Sequence, residues 1–336
     1  MVVATVMIGV APTFADVGVL AAAWLFLARL LQGVGLSGEF AGAASYLVEL
    51  APRRHRALYG SFSTFTVGMA LLSGTCVAAL ISSVLSPEAV QSWGWRLPFL
   101  AAAPVGLIGL YIRLKVQESP RFIEIADRNE IASAPVLLML RECWRQILVV
   151  LGVTVVWSIS AYIVLVYAGT YLATQTRLSF GGALVVQAIA LGVYTVVVPL
   201  SAVISDRIGR RPILIAASGA LTILSVPMFI LLQTGELPLM ILGSSMLSGL
   251  VGLFAGPAPT ALAEMFETEV RYTALGIGFN VSVALFGGAA PFIATGLIAE
   301  TGTSLAPSFY LTAGAAVSLI VLFSAMRETS RSPLAS

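Results

Sequence analysis

Ten apolar segments follow one another along the chain, and this succession limits the possible folds more than any other feature. They cover residues 2–14, 17–48, 57–85, 97–114, 146–172, 181–204, 212–232, 238–265, 273–299 and 305–326. Most of them reach the roughly 20 residues with which a helix crosses about 30 Å of hydrocarbon. Their length and their lack of alternation exclude transmembrane β-strands. The sequence therefore predicts an all-α polytopic membrane protein with ten crossings.

The first segment is too short to cross the bilayer by itself. At about 1.5 Å per residue, residues 2–14 cover only about two thirds of the hydrocarbon thickness. They also lack the basic start of a signal peptide. We interpret this segment as the tail of a longer helix whose beginning is missing.

Few side chains of this chain carry charge or could bind a metal. Charged residues make up 10% of it, against about 25% in soluble domains, and its net charge of +2 gives no reason to expect a nucleic-acid partner. The single histidine, His55, and the two cysteines, Cys76 and Cys143, provide no metal site, cofactor site or disulfide framework. No nucleophile–base arrangement is found on the polar loops, so we do not expect an enzyme.

The basic residues indicate the orientation in the membrane. If the N-terminus is cytoplasmic, fifteen of the 18 lysines and arginines fall in cytoplasmic connections. Only Arg96 and Arg177 then fall outside, and Arg29 lies in the membrane. Cytoplasmic loops carry an excess of basic residues. We therefore expect both termini to be cytoplasmic. As a separate expectation, we place the chain in the plasma (inner) membrane of a bacterium.

Residues 115–145 are the only long polar interval of the sequence. We interpret them as a cytoplasmic linker between a partial N-terminal lobe of four helices, residues 1–114, and a C-terminal lobe of six helices, residues 146–336. Transporters built from duplicated halves have matching helices in each half. The sequence therefore predicts that two helices are absent from the first lobe.

An arginine and a glutamate stand inside the apolar, glycine-rich run from Arg29 to Gly60. At about 100° per residue, Gln32, Glu39 and Tyr46 fall with the arginine on about one third of the helix circumference. An arginine at the centre of a membrane helix costs about 2.5–3.5 kcal/mol and marks a functional site by default. A structural charge pair between two helices explains this polar stripe equally well, and the two interpretations do not exclude each other.

A charged motif occurs twice. The chain reads ELAPRRHR from Glu49 and EMFETEVR from Glu264, so that each glutamate is followed seven residues later by an arginine, Arg56 or Arg271. Glycine-rich runs precede both copies. Parallel duplicated halves are one architecture of transporters. The repeat predicts two pseudo-symmetric lobes whose motifs brace the same cytoplasmic surface.

A further charged motif, SDRIGRRP (205–212), joins two apolar segments on the expected cytoplasmic side. An aspartate beside arginines can form charge-assisted, bidentate hydrogen bonds. We interpret the motif as a conformational latch that holds one state of a rocking protein, formed by Asp206, Arg207, Gly209, Arg210 and Arg211. Ordinary anchoring by basic residues explains the arginines but not the D-R-x-G-R-R spacing.

Seven stretches, in this order along the chain, resemble the major facilitator superfamily, and within it the proline/betaine transporter-like members of the metabolite:proton symporter branch. They are RLLQG (29–33), GEFAGAASYLVELAP (38–52), WGWRLPF (93–99), ESPRF (118–122), YIVLVYAGTYL (162–172), SDRIGRRP (205–212) and MFETEVRYTALGIGFNVSVALFGG (265–288). The RxxQG and DRxGRR patterns are typical of the superfamily, and the other stretches point to the branch. One departure is Ala202, where the family usually has a glycine.

This resemblance implies twelve helices in two six-helix lobes around a central cavity, working by alternating access. The chain would correspond to family helices three to twelve. We therefore expect a secondary active transporter for proton-coupled symport of a small polar solute, either a zwitterion such as proline or betaine or an organic carboxylate. Its partners would be the solute, protons and the lipid bilayer, with the oligomeric state left open. The alternative is a truncated, non-transporting fragment or a sensor derived from the same fold.

Two groups of residues are candidates for solute and proton. Arg29, Gln32 and Glu39 are the candidates for transport and proton coupling. Arg29 could hold a substrate carboxylate or control the ionisation of an acidic neighbour, and Glu39 is the candidate proton carrier because burial favours a protonated carboxyl group. Tyr162, Tyr167 and Asn280 are candidate hydrogen-bonding residues of the cavity, although simple packing between helices is the more common role for such residues.

Single cysteines in a background without Cys76 and Cys143 test the topology. Cysteines at positions 130 and 208 should react with a membrane-impermeant thiol reagent only from the cytoplasmic side, because they lie in basic connections. Cysteines at positions 90 and 177 should react only from outside. Labelling from the opposite side at either pair would contradict the predicted topology.

Overall fold

The structure is a computed structural model that describes residues 1–36, 39–115 and 143–330. Most of the expected linker, residues 115–145, lies outside the described residues, and so does the ESPRF stretch. Every regular element within the described ranges is helical.

The helices are numbered here in chain order. Helices α1 to α8 are Val2–Gly9, Phe14–Val17, Val19–Leu36, Glu39–Leu50, Arg56–Val84, Pro87–Ser92, Leu97–Leu100 and Ala102–Lys115, with 3₁₀ turns at Arg53–His55 and Gly94–Arg96. Helices α9 to α17 are Trp144–Ser160, Ala168–Gln175, Phe180–Ile208, Arg210–Gln233, Leu237–Ala255, Ala258–Ala263, Thr268–Ser282, Ala290–Thr301 and Ala306–Ser324.

Seven stretches of helix within the described residues are long and apolar enough to cross a membrane. They are Arg53–Val84, Trp144–Gln175, Phe180–Ile208, Arg210–Gln233, Leu237–Ala263, Val270–Thr301 and Ala306–Ser324. All seven coincide with segments predicted from the sequence. At the other three predicted segments, residues 2–14, 17–48 and 97–114, the described helices are shorter than the segments themselves. The count of ten crossings therefore stays a prediction.

The described residues group into two compact units. The first unit contains residues 1–36, 39–40 and 76–115, and the second contains residues 41–75 and 143–330. Each of α4 and α5 therefore has residues in both units. The lobe boundaries inferred from the polar interval stay a prediction.

In the first unit, the short helix α1 packs against α3, α7 and α8. Side chains from α3 and from the 3₁₀ turn before α7 bind the carbonyl groups near its end. Arg96 donates from Nη1 to the carbonyl oxygens of Gly9 at 3.1 Å and Ala11 at 2.6 Å, and Trp24 donates from Nε1 to that of Met7 at 2.8 Å. The last carbonyls of a helix lack partners within it. These donors therefore fix the position where α1 ends.

In the second unit, α13 packs against both α11 and α12 because two of its glycines leave room for neighbouring backbones. A Cβ atom at Gly243 would lie 2.9 Å from the carbonyl oxygen of Met228, and one at Gly252 would lie 3.0 Å from that of Tyr194. Small residues allow membrane helices to approach this closely. Packing continues from α12 to α17 and from α17 to α9, which closes the helical bundle of this unit.

Within the described ranges, two of the membrane spans contain a stretch of π-helix. The first π segment, Ala161–Tyr167, separates α9 from α10, and the second π segment, Val283–Gly288, separates α15 from α16. Such stretches are rare and occur frequently at functional sites. The first π segment contains two of the predicted cavity residues, Tyr162 and Tyr167.

Candidate functional site

Six charged side chains of the second unit lie at helix ends and form what we call the arginine–carboxylate cluster. They come from α4, α5, α11, α12, α15 and the residue after α14, and they are Glu49, Arg56, Asp206, Arg210, Glu264 and Arg271. In the predicted topology this is the cytoplasmic end of the helices. The structure thus brings the duplicated motif and the latch motif, which are far apart in the sequence, into one site.

Asp206, near the end of α11, binds the beginning of α5. Its Oδ1 accepts a hydrogen bond from the backbone N–H of Ala57 at 2.9 Å, and its Oδ2 accepts one from that of Leu58 at 3.1 Å. The first N–H groups of a helix have no partner within it, and a carboxylate there also interacts favourably with the helix dipole. Asp206 therefore ties these two helices together.

Arg210, the first residue of α12, is the centre of the cluster and is only 1% exposed. Its Nη1 donates to Asp206 Oδ1 at 2.9 Å and to the carbonyl oxygen of Ser205 at 3.0 Å. Its Nε and Nη2 lie 3.4 Å from the two carboxylate oxygens of Glu264. A guanidinium group that faces a carboxylate in this way makes a bidentate pair. Arg210 therefore joins the latch motif to the duplicated motif.

Each copy of the duplicated motif forms an ion pair with the other copy. Arg271 of the second copy donates from Nη1 to Oε1 of Glu49 in the first copy at 2.9 Å. Arg56 of the first copy has its Nη1 4.0 Å from Oε1 of Glu264 in the second copy. Each ion pair therefore connects one copy to the other, rather than bracing a single copy.

Arg271 is completely buried and also holds the turn that follows α14. Its Nε donates to the carbonyl oxygen of Ala263 at 2.9 Å, and its Nη2 donates to that of Phe266 at 3.1 Å. These carbonyls lie at the end of α14 and just after it, and they need donors from elsewhere. Arg271 therefore has a structural role and a role in the ion pair with Glu49.

The charge of Glu264 depends on its neighbours. Burial raises the pKa of this carboxyl group above its ordinary value, and the Arg210 and Arg56 guanidinium groups and a hydrogen bond from Thr329 act against that effect. The Thr329 hydroxyl donates to Oε2 at 2.7 Å. If the arginines moved away while the site stayed dry, burial would favour the protonated form of Glu264.

Glu328, which follows α17, is a functional candidate that the sequence interpretation missed. Its Oε1 accepts from the backbone N–H of Arg210 at 2.9 Å and its Oε2 accepts from that of Arg211 at 3.0 Å, so it caps α12. These hydrogen bonds, with one from Ser330, outweigh the opposing effect of burial and lower the pKa of Glu328. The sequence does contain a weak signal, because ETSR at 328–331 shares its first and last residues with ESPR at 118–121. Both tetrapeptides follow the last apolar segment of a predicted lobe.

The other members of the latch motif lie around the cluster rather than in it. Arg211 donates from Nε to the carbonyl oxygen of Leu322 at 3.1 Å and from Nη2 to that of Phe323 at 2.9 Å, and so binds the end of α17. Arg207 is exposed and, with Arg211, borders a cleft of about 570 Å³. Gly209 forms the turn between α11 and α12 with a φ of 110°, which favours glycine.

The predicted cavity residues lie on two neighbouring spans of the second unit. Tyr162 and Asn280 are half-buried, and Tyr167 is buried with its hydroxyl 3.2 Å from that of Thr295. The ring of Tyr162 lies against Gly287, where a Cβ atom would be 2.9 Å from it. Their roles in a cavity stay a prediction.

The first group of transport candidates is only partly described. In the first unit, Arg29 is exposed and donates from Nη1 to Oε1 of Gln32 at 3.1 Å, and Gln32 donates from Nε2 to the Thr5 hydroxyl at 2.8 Å. Glu39 begins α4, but its side chain lies outside the described part of the structure, as do residues 37 and 38. The polar stripe from Arg29 to Glu39 along one helix therefore stays a prediction.

Comparison with known proteins identifies relatives along the whole chain. The family model described as Major Facilitator Superfamily matches residues 1–277. The proline/betaine transporter of Salmonella typhimurium is 34% identical over 344 residues, which cover 99% of this chain and 68% of that protein. The ectoine/proline transporter of Corynebacterium glutamicum is 32% identical over 348 residues, which cover 99% and 69%.

Solved structures with the same fold are transporters as well. The crystal structure of a D-xylose-proton symporter has a TM-score of 0.72 and 20% identity, with 98% of this chain and 80% of that chain covered. The inward open form of the xylose transporter XylE from Escherichia coli has a TM-score of 0.65 and 19% identity, with 99% and 79% covered. The predicted family and the all-α fold class are confirmed by these matches.

The turn at Gly209 provides a test of the capped start of α12. Gly209→Ala should lower the melting temperature, because its φ of 110° strains any other residue, at a cost of about 1–3 kcal/mol. The new Cβ atom would also lie 2.7 Å from the Glu328 carboxylate. Gly219→Ala, within α12 itself, is the control, since its Cβ atom meets nothing within 4 Å. Equal melting temperatures for the two variants would contradict this prediction.

Proposed function

The chain belongs to the Major Facilitator Superfamily of membrane transporters, and from this membership we propose that it couples the uptake of a small polar solute to proton entry. As a member of this family it is a transporter and not an enzyme. The proposal concerns what it carries, what drives it and how it changes state. The proton as driving ion is supported by the D-xylose-proton symporter, which shares the fold.

The observation that carries the proposal is that the ion pairs of the duplicated motif connect one copy to the other. Alternating access is largely a rocking of one repeat against the other around a fixed site. Such a motion needs contacts between the repeats that can form and break without unfolding either one. The pairs Glu49–Arg271 and Arg56–Glu264 have this property, because each joins one copy to the other. An enzyme or a rigid anchor has no need of ion pairs that connect the two copies in this way.

We propose that the solute is a zwitterion that has a carboxylate and a cationic nitrogen. The relatives named for proline, betaine and ectoine carry solutes of this kind. A guanidinium group matches a carboxylate in shape and charge, and Arg29 is exposed in the first unit with Gln32 beside it. An organic carboxylate would use the same arginine, so transport of both classes should be compared.

We propose Glu39 as the proton carrier. A carboxyl group inside a membrane protein can bind a proton from one side and release it to the other as its hydration changes. In the predicted topology this residue lies within the membrane, and the carboxylates of the arginine–carboxylate cluster lie at its cytoplasmic edge. The protein would work in the inner membrane of a bacterium with both termini in the cytoplasm.

We propose that the arginine–carboxylate cluster is the latch that closes the cytoplasmic side. Asp206→Asn removes the charge that pairs with Arg210 and offers an amide N–H₂ to backbone donors of α5, so the closed state should be weakened. A cysteine at Tyr162 should then react several-fold faster with an impermeant reagent applied from the cytoplasmic side. Asp16→Asn is the control, because Asp16 also accepts a backbone N–H, that of Thr13 at 2.9 Å, but in a predicted outer turn. Equal rates in both variants, with normal expression, would leave only the anchoring interpretation.

Uptake by proteoliposomes tests the function. Purified protein in vesicles at pH 8 that are diluted into pH 6 should accumulate labelled proline or glycine betaine, and it should not accumulate labelled xylose. Glu39→Gln should abolish this accumulation but spare exchange of solute between the two sides, because exchange needs no net proton movement. Glu300→Gln, on an exposed helix end, should behave like wild type.

Two results would count against this proposal. If the wild-type protein accumulates neither solute in response to the pH step, proton-coupled symport of this class is excluded. If Glu39→Gln still concentrates solute, the proton site lies at another residue.

A further inference from the structure

The two π segments of the second unit pack directly against each other. Gly287 of the second segment faces Tyr162 of the first, and the neighbouring carbonyl oxygen of Ser158 would be 3.2 Å from a Cβ atom on the glycine. One turn before the first segment, the hydroxyl of Ser158 is 3.1 Å from that of Ser282. The two interrupted spans are therefore held in register at the level of their π segments.

The first π segment is held by a glutamine from another helix. Gln187 on α11 donates from Nε2 to the carbonyl oxygens of Val164 at 3.2 Å and Leu165 at 2.9 Å. Its side chain is 3% exposed. Burying an amide among apolar side chains costs free energy unless the amide is hydrogen-bonded. The position of Gln187 is therefore tied to these two carbonyls.

The second π segment has an equivalent donor from a different helix. The hydroxyl of Tyr310 on α17 donates to the carbonyl oxygen of Phe286 at 3.0 Å. A π segment departs from the regular hydrogen bonds of an α-helix, and inserted side chains often accompany such departures. In each π segment, a backbone carbonyl group thus accepts a hydrogen bond from a side chain of another helix. Two unrelated irregularities would have no reason to share this feature.

The amide oxygen of Gln187 shows that this amide is held at one end only. Within the described part of the chain, Oε1 has no hydrogen-bond partner. A buried acceptor without a partner is unfavourable, and turning the amide over would face its oxygen toward two carbonyl oxygens. The two bonds to the first π segment are therefore what keeps Gln187 in place, and they keep the segment in place in turn.

We propose that Gln187 is a positioning residue for solute binding and acts through the first π segment. The inference rests on the proposed function and on the prediction that Tyr162 and Tyr167 of this segment line the cavity that holds the solute. A π segment inserts one extra residue into a helix, so relaxation to an α-helix would turn side chains on its two sides by about 100° relative to each other. By holding two carbonyls, Gln187 prevents this rotation and sets where the two tyrosines point.

Gln187→Met is the decisive variant, because methionine has the same length but no donor and no unpaired acceptor. We expect the melting temperature to change little. The KM for exchange of labelled proline should rise about tenfold, as for the loss of one or two ordinary hydrogen bonds, with a smaller effect on the maximal rate. Backbone hydrogen exchange of residues 161–170 should become faster, and this measurement does not depend on transport.

Gln233→Met is the matched control. Gln233 donates from Nε2 to the hydroxyl of Tyr171 at 3.0 Å and binds no carbonyl of a π segment. This variant should keep the wild-type KM and the wild-type hydrogen exchange of residues 161–170. Equal effects of the two glutamine variants would overturn the proposal.

The remaining outcomes also decide the question. An unchanged KM and unchanged hydrogen exchange in Gln187→Met would overturn the proposal. If wild-type protein exchanges no solute, the proposed function fails, and the hydrogen exchange still tests whether Gln187 holds the segment. If Gln187→Met does not fold, Gln187→His keeps one ring N–H donor and should give an intermediate KM, and a wild-type KM in that variant would overturn the proposal.

Discussion

Charge can be buried at the ends of apolar helices only if every charge finds an opposite partner, and the second unit depends on this constraint. Arg210 and Arg271 are 1% and 0% exposed, and each meets both a carboxylate and backbone carbonyls. Removing one partner of a buried pair costs about 3–5 kcal/mol. The cluster is therefore stable when complete or when its members are hydrated, and unstable in between. Two such states are what a rocking transporter needs.

Local sequence patterns predicted the spans of the second unit and the charged motifs, because hydrophobic length and charge spacing act over neighbouring residues. All seven long spans coincide with predicted apolar segments, and Asp206 and Arg210 do bond to each other. The partners of the duplicated motif could not be predicted in this way. Glu49 and Arg56 are seven residues apart, whereas Glu49 and Arg271 meet only through packing of distant helices.

The residues that sequence reasoning missed are those whose role depends on backbone geometry. The likeness of ETSR to ESPR does not tell what Glu328 binds, and only the structure places it on the first N–H groups of α12. A π segment within an apolar run has no sequence pattern of its own. The sequence therefore offers no reason to expect that Gln187 would donate to the carbonyl groups of such a segment. Of the transport candidates, Arg29 and Gln32 are hydrogen-bonded neighbours, as their spacing on one helix face implies, and the role of Glu39 remains a proposal.

The cap of α12 also imposes an order on how the protein is made. Glu328 follows α17, the last described helix, and reaches back to a helix that begins at Arg210. A ribosome therefore completes Arg56, Asp206, Arg210 and Glu264 well before it supplies the residue that caps the start of α12. Until then, the N–H groups of Arg210 and Arg211 must be hydrated or bound by something else. This end of the bundle is thus completed only after α17 has been synthesised.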